Sequence, residues 1–178
     1  MFAKMNITQQ AVFTGCLAIG LTSVDVGLGQ NLNDSPPDLG TRQSGHDWPA
    51  FLGPQSNARS AETGLHWSWS DQPPPIRWTV PLGTGYAPPS VSRGRLFHFD
   101  RYGDRNRLTC RNSETGEELW TYEYATVYED LLGYNNGPRC TPVVDGPRVY
   151  VFGQEGELHC VRAIDGERVW SVDTAEKF

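Results

Sequence analysis

The chain is predicted to be all-β, and three observations carry that prediction. Apolar residues fall in short alternating runs bounded by Gly, Pro and Asp, and no window sustains a 3.6-residue apolar period over several turns. The composition agrees: the 178 residues include 13 Pro, 19 Gly, six Trp, seven Tyr and seven Phe, which favour turns and strands over long helices. The third observation is an internal echo. Residues 107–120 (RLTCRNSETGEELW) return fifty positions later as residues 157–170 (ELHCVRAIDGERVW), with Leu108, Cys110, Gly116, Glu117 and Trp120 recurring as Leu158, Cys160, Gly166, Glu167 and Trp170. Upstream, at a shift of fifty-three, Pro89, Arg95 and Phe99 map to Pro142, Arg148 and Phe152. A period of 40–50 residues with Trp closing each unit reads as blades of a β-propeller.

Each unit can be written as four short antiparallel strands. In the first unit these are 88–92, 95–100, 107–112 and 117–124, with a turn at Arg93-Gly94, a polar loop at 101–106 and a turn at Glu114-Thr115-Gly116. In the second they are 140–144, 148–153, 157–163 and 167–172, separated by Asp145-Gly146-Pro147, Gln154-Glu155-Gly156 and Asp165-Gly166. Short strands joined by Gly-containing turns are hairpins, and four of them make a blade. The blades are therefore placed at about 87–124 and 140–173.

A fragment of a third unit precedes them. Ile76-Arg77-Trp78-Thr79-Val80 resembles the strands around Trp120 and Trp170, so it reads as an orphan N-terminal closing strand. The expected fold is a partial β-propeller of two complete blades plus this strand. A propeller needs four to eight blades to close. The chain is accordingly expected to be the N-terminal part of a longer protein, a truncated gene product, or a part that closes only by oligomerising.

The first 29 residues differ from the rest. Ala11 to Leu21 is an uncharged run too short to span a membrane, and Gly27-Leu28-Gly29 places small residues before a cut at Gln30. Residues 1–29 are read as a secretory signal peptide, which implies a periplasmic or extracellular protein with no membrane span in the mature chain. Cys16 follows Phe13-Thr14-Gly15, a loose lipoprotein box, but the short preceding segment holds Gln9 and Gln10 and argues against a lipid anchor. Residues 30–45 are polar with a Pro pair and read as a flexible linker. A net charge of −6 argues against nucleic acid, whose phosphates demand clustered Lys and Arg. Cys110, Cys140 and Cys160 are odd in number, so no disulfide framework closes among them, and all three read as small buried apolar residues.

The units resemble the pyrroloquinoline-quinone-like (PQQ-like) repeat of secreted bacterial propellers, whose outer strands follow Ala-x-Asp-x-x-x-Gly-x-x-x-Trp. Here Cys110, Asn112, Gly116 and Trp120 stand at the pattern's positions in one unit, and Cys160, Arg162, Gly166 and Trp170 in the other. Gly and Trp are kept; Ala has become Cys twice, and Asp has become Asn or Arg. His46-Asp47-Trp48-Pro49-Ala50-Phe51-Leu52-Gly53-Pro54, Leu82-Gly83-Thr84-Gly85-Tyr86 and the loop from Tyr128 to Arg139 extend the likeness over about 46–178, although the family usually has Arg where Leu52 stands. The resemblance implies that the indoles of Trp78, Trp120 and Trp170 dock blade on blade, with Gly116 and Gly166 in the receiving turns.

The resemblance implies less about chemistry. Quinoprotein dehydrogenases of this fold add a calcium site of Glu, Asn and Asp, an Asp base and usually a ring of adjacent cysteines, and this chain has no Cys-Cys pair. Its one cluster of that ligand type is Glu129, Asp130, Asn135 and Asn136, oxygen donors suited to a hard cation but also to a solvated turn. Tyr122, Tyr124, Tyr128 and Tyr134 could line a binding face but read as blade packing, and His98 and His159 as half-buried sheet residues. No Walker loop, dinucleotide fingerprint, metal-ligand histidine spacing or Gly-x-Ser-x-Gly setting is present. The expected function is a non-catalytic, extracytoplasmic binding or interaction scaffold without catalytic residues or a cofactor, its partner a protein or further blades. The alternative is a fragment of a PQQ- and Ca²⁺-dependent alcohol dehydrogenase.

Overall fold

The computed structural model describes residue 31 and residues 34–40, 45–65, 68–69 and 73–177. The chain divides into Met1–Gln30, outside the described residues together with the expected signal peptide, and Asn31–Phe178, which carries the fold. Two four-stranded antiparallel sheets form in chain order. The first blade is β1 (Ser90–Ser92), β2 (Arg95–Tyr102), β3 (Arg105–Asn112) and β4 (Glu118–Ala125). The second is β5 (Val143–Asp145), β6 (Arg148–Phe152), β7 (Glu157–Arg162) and β8 (Arg168–Asp173), followed by the single turn α1 (Thr174–Lys177). Both expected four-stranded sheets form, with the first strands, expected at 88–92 and 140–144, shortened to Ser90–Ser92 and Val143–Asp145, and with one extension. Residues 101–106, expected as a loop, lengthen β2 and β3 to a tight turn at Gly103 (φ 61°), with Tyr102 paired to Arg105.

Register explains the alternation in the sequence. Phe97 pairs with Cys110 and Phe99 with Leu108, and these four residues fill one face of the first sheet with almost no exposure. Val149, Val151, Val161 and Ala163 fill the facing side of the second sheet, so the core lies between the blades. The other face of β2 and β3 carries Leu96, His98, Asp100, Arg107, Thr109 and Arg111, beside a cleft of about 480 Å³ that Trp78 and Val80 border. Residues 76–80, expected as a closing strand, join neither sheet, because the described residues hold no other strand of the blade they would complete. Arg107 there holds Asp100 through two hydrogen bonds of 2.9 and 2.7 Å.

Each blade has a bulge at the same place, Cys110/Arg111 and Cys160/Val161, which turns the chain into the Gly-containing loop. The loops share a frame: Gly116 N–H donates to the Asn112 carbonyl and Gly166 N–H to that of Arg162, each at 2.9 Å. The two departures from the repeat's Asp are compensated differently. Asn112 Oδ1 accepts from Glu114 and Thr115 N–H, capping the turn. Arg162 instead pairs with Asp165 and Glu167, and Asp165 accepts the Glu167 N–H.

The indoles then join unit to unit. Trp78 Nε1–H donates to the Ser113 carbonyl at 3.1 Å, and Trp120 Nε1–H to the Ala163 carbonyl at 3.2 Å. Ser113 and Ala163 are the same repeat position, and Gly116 and Gly166 lie directly under the two rings. Trp170 lies on the last strand against Tyr150, with ring centroids 6.0 Å apart, and is 38% exposed where Trp120 is 9% exposed.

Part of the segment expected as a linker makes defined contacts. The Pro36 and Pro37 carbonyls accept from the Arg93 and Arg95 side chains at 2.6 Å, and Leu39 N–H donates to the Arg93 carbonyl. Residues 41–44 lie outside the described residues. Asp47 accepts from Ser92 Oγ–H and Arg93 N–H, and Trp48 exchanges backbone hydrogen bonds with Val91, so the lead-in lies along the edge of β1.

Cys110 and Cys160 are buried as expected, whereas Cys140 is exposed because it falls in the loop before β5 rather than in a strand. Burial pushes the Cys110 thiol up to about 12, against the opposing pull of Arg95. Thiolate is the reactive form. Iodoacetamide at pH 8 is therefore expected to modify Cys140 in the native chain and to spare Cys110 and Cys160 until denaturant is added; peptide mass mapping checks this.

Candidate functional site

The loops at one end of the blades converge on an open cleft of about 720 Å³, walled by 82–84, 101–103, 129–130 and 133–136. Two close backbone approaches hold it together. Gly83 N–H donates to Asp100 Oδ2 at 2.7 Å, and Thr84 exchanges hydrogen bonds of 2.8 Å with Arg101. Tyr86 N–H donates to the Pro138 carbonyl, and a Cβ at Gly137 would lie 2.1 Å from the Thr84 carbonyl oxygen. Only Gly fits there.

The structure brings Glu129, Asp130, Asn135 and Asn136 to one wall of this cleft. Most of their candidate ligand oxygens serve the loop itself. Asp130 Oδ2 accepts the N–H groups of Tyr134 and Asn135 at 2.8 and 3.3 Å, and Asp130 Oδ1 lies 3.5 Å from Arg139. Asn135 Oδ1 accepts the Gly137 N–H and Asn136 Oδ1 that of Asp130, each at 2.8 Å. The Tyr134 N–H, joined by that of Asn135 and by Arg139, holds the Asp130 carboxyl below the usual carboxylate range. Glu129 is exposed. Among the described residues no group of three or more His, Cys, Asp or Glu is placed to hold a metal ion.

Arginines complete the frame. Arg101 donates to the Tyr128 and Asn136 carbonyls at 2.5 and 3.1 Å, and Arg139 to the Asn135 carbonyl at 3.2 Å. The loop so held presents Leu131, 100% exposed, with Leu132 and Tyr134 beside it. Sequence reasoning missed Arg101: it ends a strand, and nothing local shows that its guanidinium reaches a loop 27 residues away. The tyrosine run divides. Tyr122 and Tyr124 pack at the seam between blades, while Tyr134 stands in solvent at the cleft.

The loop face and the seam are connected. Gln154 Nε2–H donates to the Asn136 carbonyl and to Asn106 Oδ1, and Asn106 donates to the Tyr124 hydroxyl and to both oxygens of Glu155. Thr126 Oγ1–H also donates to Glu155. His159 is fully buried rather than half-buried, because the first blade covers the face of β7 that carries it.

Comparison with known proteins places this geometry in context. Among solved structures, BamB from Moraxella catarrhalis is similar at a TM-score of 0.36 and 20% identity, over 52% of this chain and 23% of that one. A europium-containing methanol dehydrogenase gives 0.45 and 20% identity, over 58% and 20% of the two chains. A quinohemoprotein alcohol dehydrogenase from Comamonas testosteroni gives 0.39 and 23% identity, over 56% and 14%. The chain thus spans less than a quarter of the length of each. No curated protein matches. A family model described as outer membrane protein assembly factor BamB matches residues 58–178. That match covers both blades, Trp78 and every wall of the cleft, and on it the chain belongs to this family of PQQ-like repeat β-propellers.

Proposed function

We propose that the chain is a non-catalytic binding scaffold that works outside the cytoplasm, displaying the 126–139 loop to a protein partner or to further blades of a longer chain. The observation that carries this reading is the use of the loop's polar groups. Asp130, Asn135 and Asn136 fix the backbone of the loop, and the large apolar side chains it exposes are Val127, Leu131, Leu132 and Tyr134. A preorganised loop with apolar tips suits recognition, because little ordering entropy remains to be lost on binding. The placement outside the cytoplasm rests on the signal-like residues 1–29, with cleavage near Gly29, and on the family description. No helix among the described residues is long and apolar enough to cross a membrane.

Calorimetric titration with Ca²⁺ and pyrroloquinoline quinone, together with dye reduction in the presence of an alcohol, separates this reading from the dehydrogenase. The scaffold reading expects no saturable heat and no reduction. It further expects Glu129→Gln with Asn135→Ala to titrate like the parent chain. Saturable Ca²⁺-dependent quinone uptake that the double variant abolishes would establish the enzyme reading instead.

A further inference from the structure

The polar end of the seam between the blades centres on His159, which is 1% exposed and contacted through both ring nitrogens. Nε2 lies 2.9 Å from Glu157 Oε2 on its own strand, and Nδ1 lies 2.9 Å from the Tyr122 hydroxyl on β4 of the other blade. The Tyr124 ring stacks on the imidazole with centroids 4.0 Å apart. A carboxylate can only accept, so Nε2 carries the proton and donates to Glu157. Nδ1 is then a bare acceptor, and the Tyr122 hydroxyl donates to it across the seam. The neutral ring therefore satisfies every polar atom it meets.

We propose that the seam is a pH-responsive latch, closed by His159 in its neutral Nε2–H form and loosened when the ring takes a second proton. A proton on Nδ1 would set donor against donor, and Tyr122 would have to turn its O–H away. The charged groups around the ring come from every packed element. Glu157 on β7 and Glu155 in the preceding loop favour the cation; Arg168 on β8, which also faces the Tyr122 hydroxyl, opposes it. Burial outweighs the carboxylates and holds the His159 pKa below its ordinary 6.5. The folded chain therefore binds fewer protons than the unfolded chain just below pH 6.5, and stability falls as pH falls through that window. On the same seam, Trp120 docks at its apolar end, while Glu155, Asn106 and Gln154 run from its polar end to the Asn136 carbonyl of the display loop.

Side-chain ¹⁵N NMR of the whole chain reads the device directly. The expected result is an Nε2–H tautomer for His159 at pH 7.5 and a titration midpoint below 6.5. The urea midpoint of the parent chain is expected to fall between pH 7.5 and 5, and that part of the fall is expected to vanish in His159→Gln, which keeps one donor and one acceptor. A His98→Gln variant, altered on the opposite face of the first blade, should retain it. An Nδ1–H tautomer, a midpoint at or above 6.5, or equal pH dependence in the parent chain and His159→Gln would each overturn the latch. Should His159→Gln fail to fold, the NMR titration of the parent chain still decides.

Discussion

Replacing Trp120 with Ala is expected to lower stability by about 3–5 kcal/mol, the range for deleting a buried aromatic ring. The ring fills the space over Gly166, meets Phe97 with centroids 5.9 Å apart, and spends its one donor on the Ala163 carbonyl. Three losses follow together: the buried area, the cavity left behind, and the partner of a buried carbonyl. The same change at Trp170 supplies the contrast. Trp170 occupies the equivalent position but is 38% exposed and packs on Tyr150 within its own blade. Its truncation is expected to cost about 1 kcal/mol, the ordinary scale for a single substitution. Urea denaturation of the two variants measures the difference. Equal losses would mean that the indole matters for its strand rather than for docking blade on blade.

Gly166→Ala is expected to cost about 2–5 kcal/mol, from a left-handed backbone of about 1–2 and an overpacked ring of about 1–3. Gly166 has φ 75°, and an added Cβ would lie 2.5 Å from Cε3 of Trp120. An indole in a packed seam cannot swing aside as an exposed chain end would. Gly133 separates the two causes, since its φ is 69° but nothing lies within 4 Å of its Cβ position. Gly133→Ala should therefore show the backbone cost alone. In a Trp120→Ala background the steric part of the Gly166→Ala loss should disappear, because the ring it strikes is gone. A cost unchanged by removing the indole would refute the contact as its source.

How much could be read before the fold was known depended on how local the physics was. Alternation across Leu96, Phe97, His98 and Phe99 placed a two-faced strand because side-chain direction on a strand has period two. The recurrence of Gly116 and Trp120 as Gly166 and Trp170 marked a repeated turn and a repeated indole, because a repeat keeps the residues its own local geometry needs. The loop from 101 to 106 was misjudged where polar residues pair within a sheet: Asn106 is fully buried yet hydrogen-bonded, and polarity alone does not reveal a partner.

The site was legible in outline. Glu129, Asp130, Asn135 and Asn136 could be grouped by spacing, and they do share a wall of the cleft. Whether their oxygens face a cavity or the loop's own N–H groups is set by backbone dihedrals that residue types alone leave open. Arg101 and Arg139 entered only when the chain was closed around them. Pro36 and Pro37 looked like part of a linker because neither presents an apolar face; their carbonyls meet Arg93 and Arg95 across more than fifty residues.

By itself, then, the sequence determined the all-β class and the two four-stranded units with their repeated Gly and Trp, since these follow from short-range periodicity and repetition. Only the tertiary structure decided that one indole is sealed while its twin stays half open, and that a cluster of cation-ligand type spends most of its oxygens on its own loop. It alone placed His159 between a tyrosine of one blade and a glutamate of the other. Each of these depends on which groups meet across a seam, and such meetings are fixed by register and packing rather than by spacing along the chain.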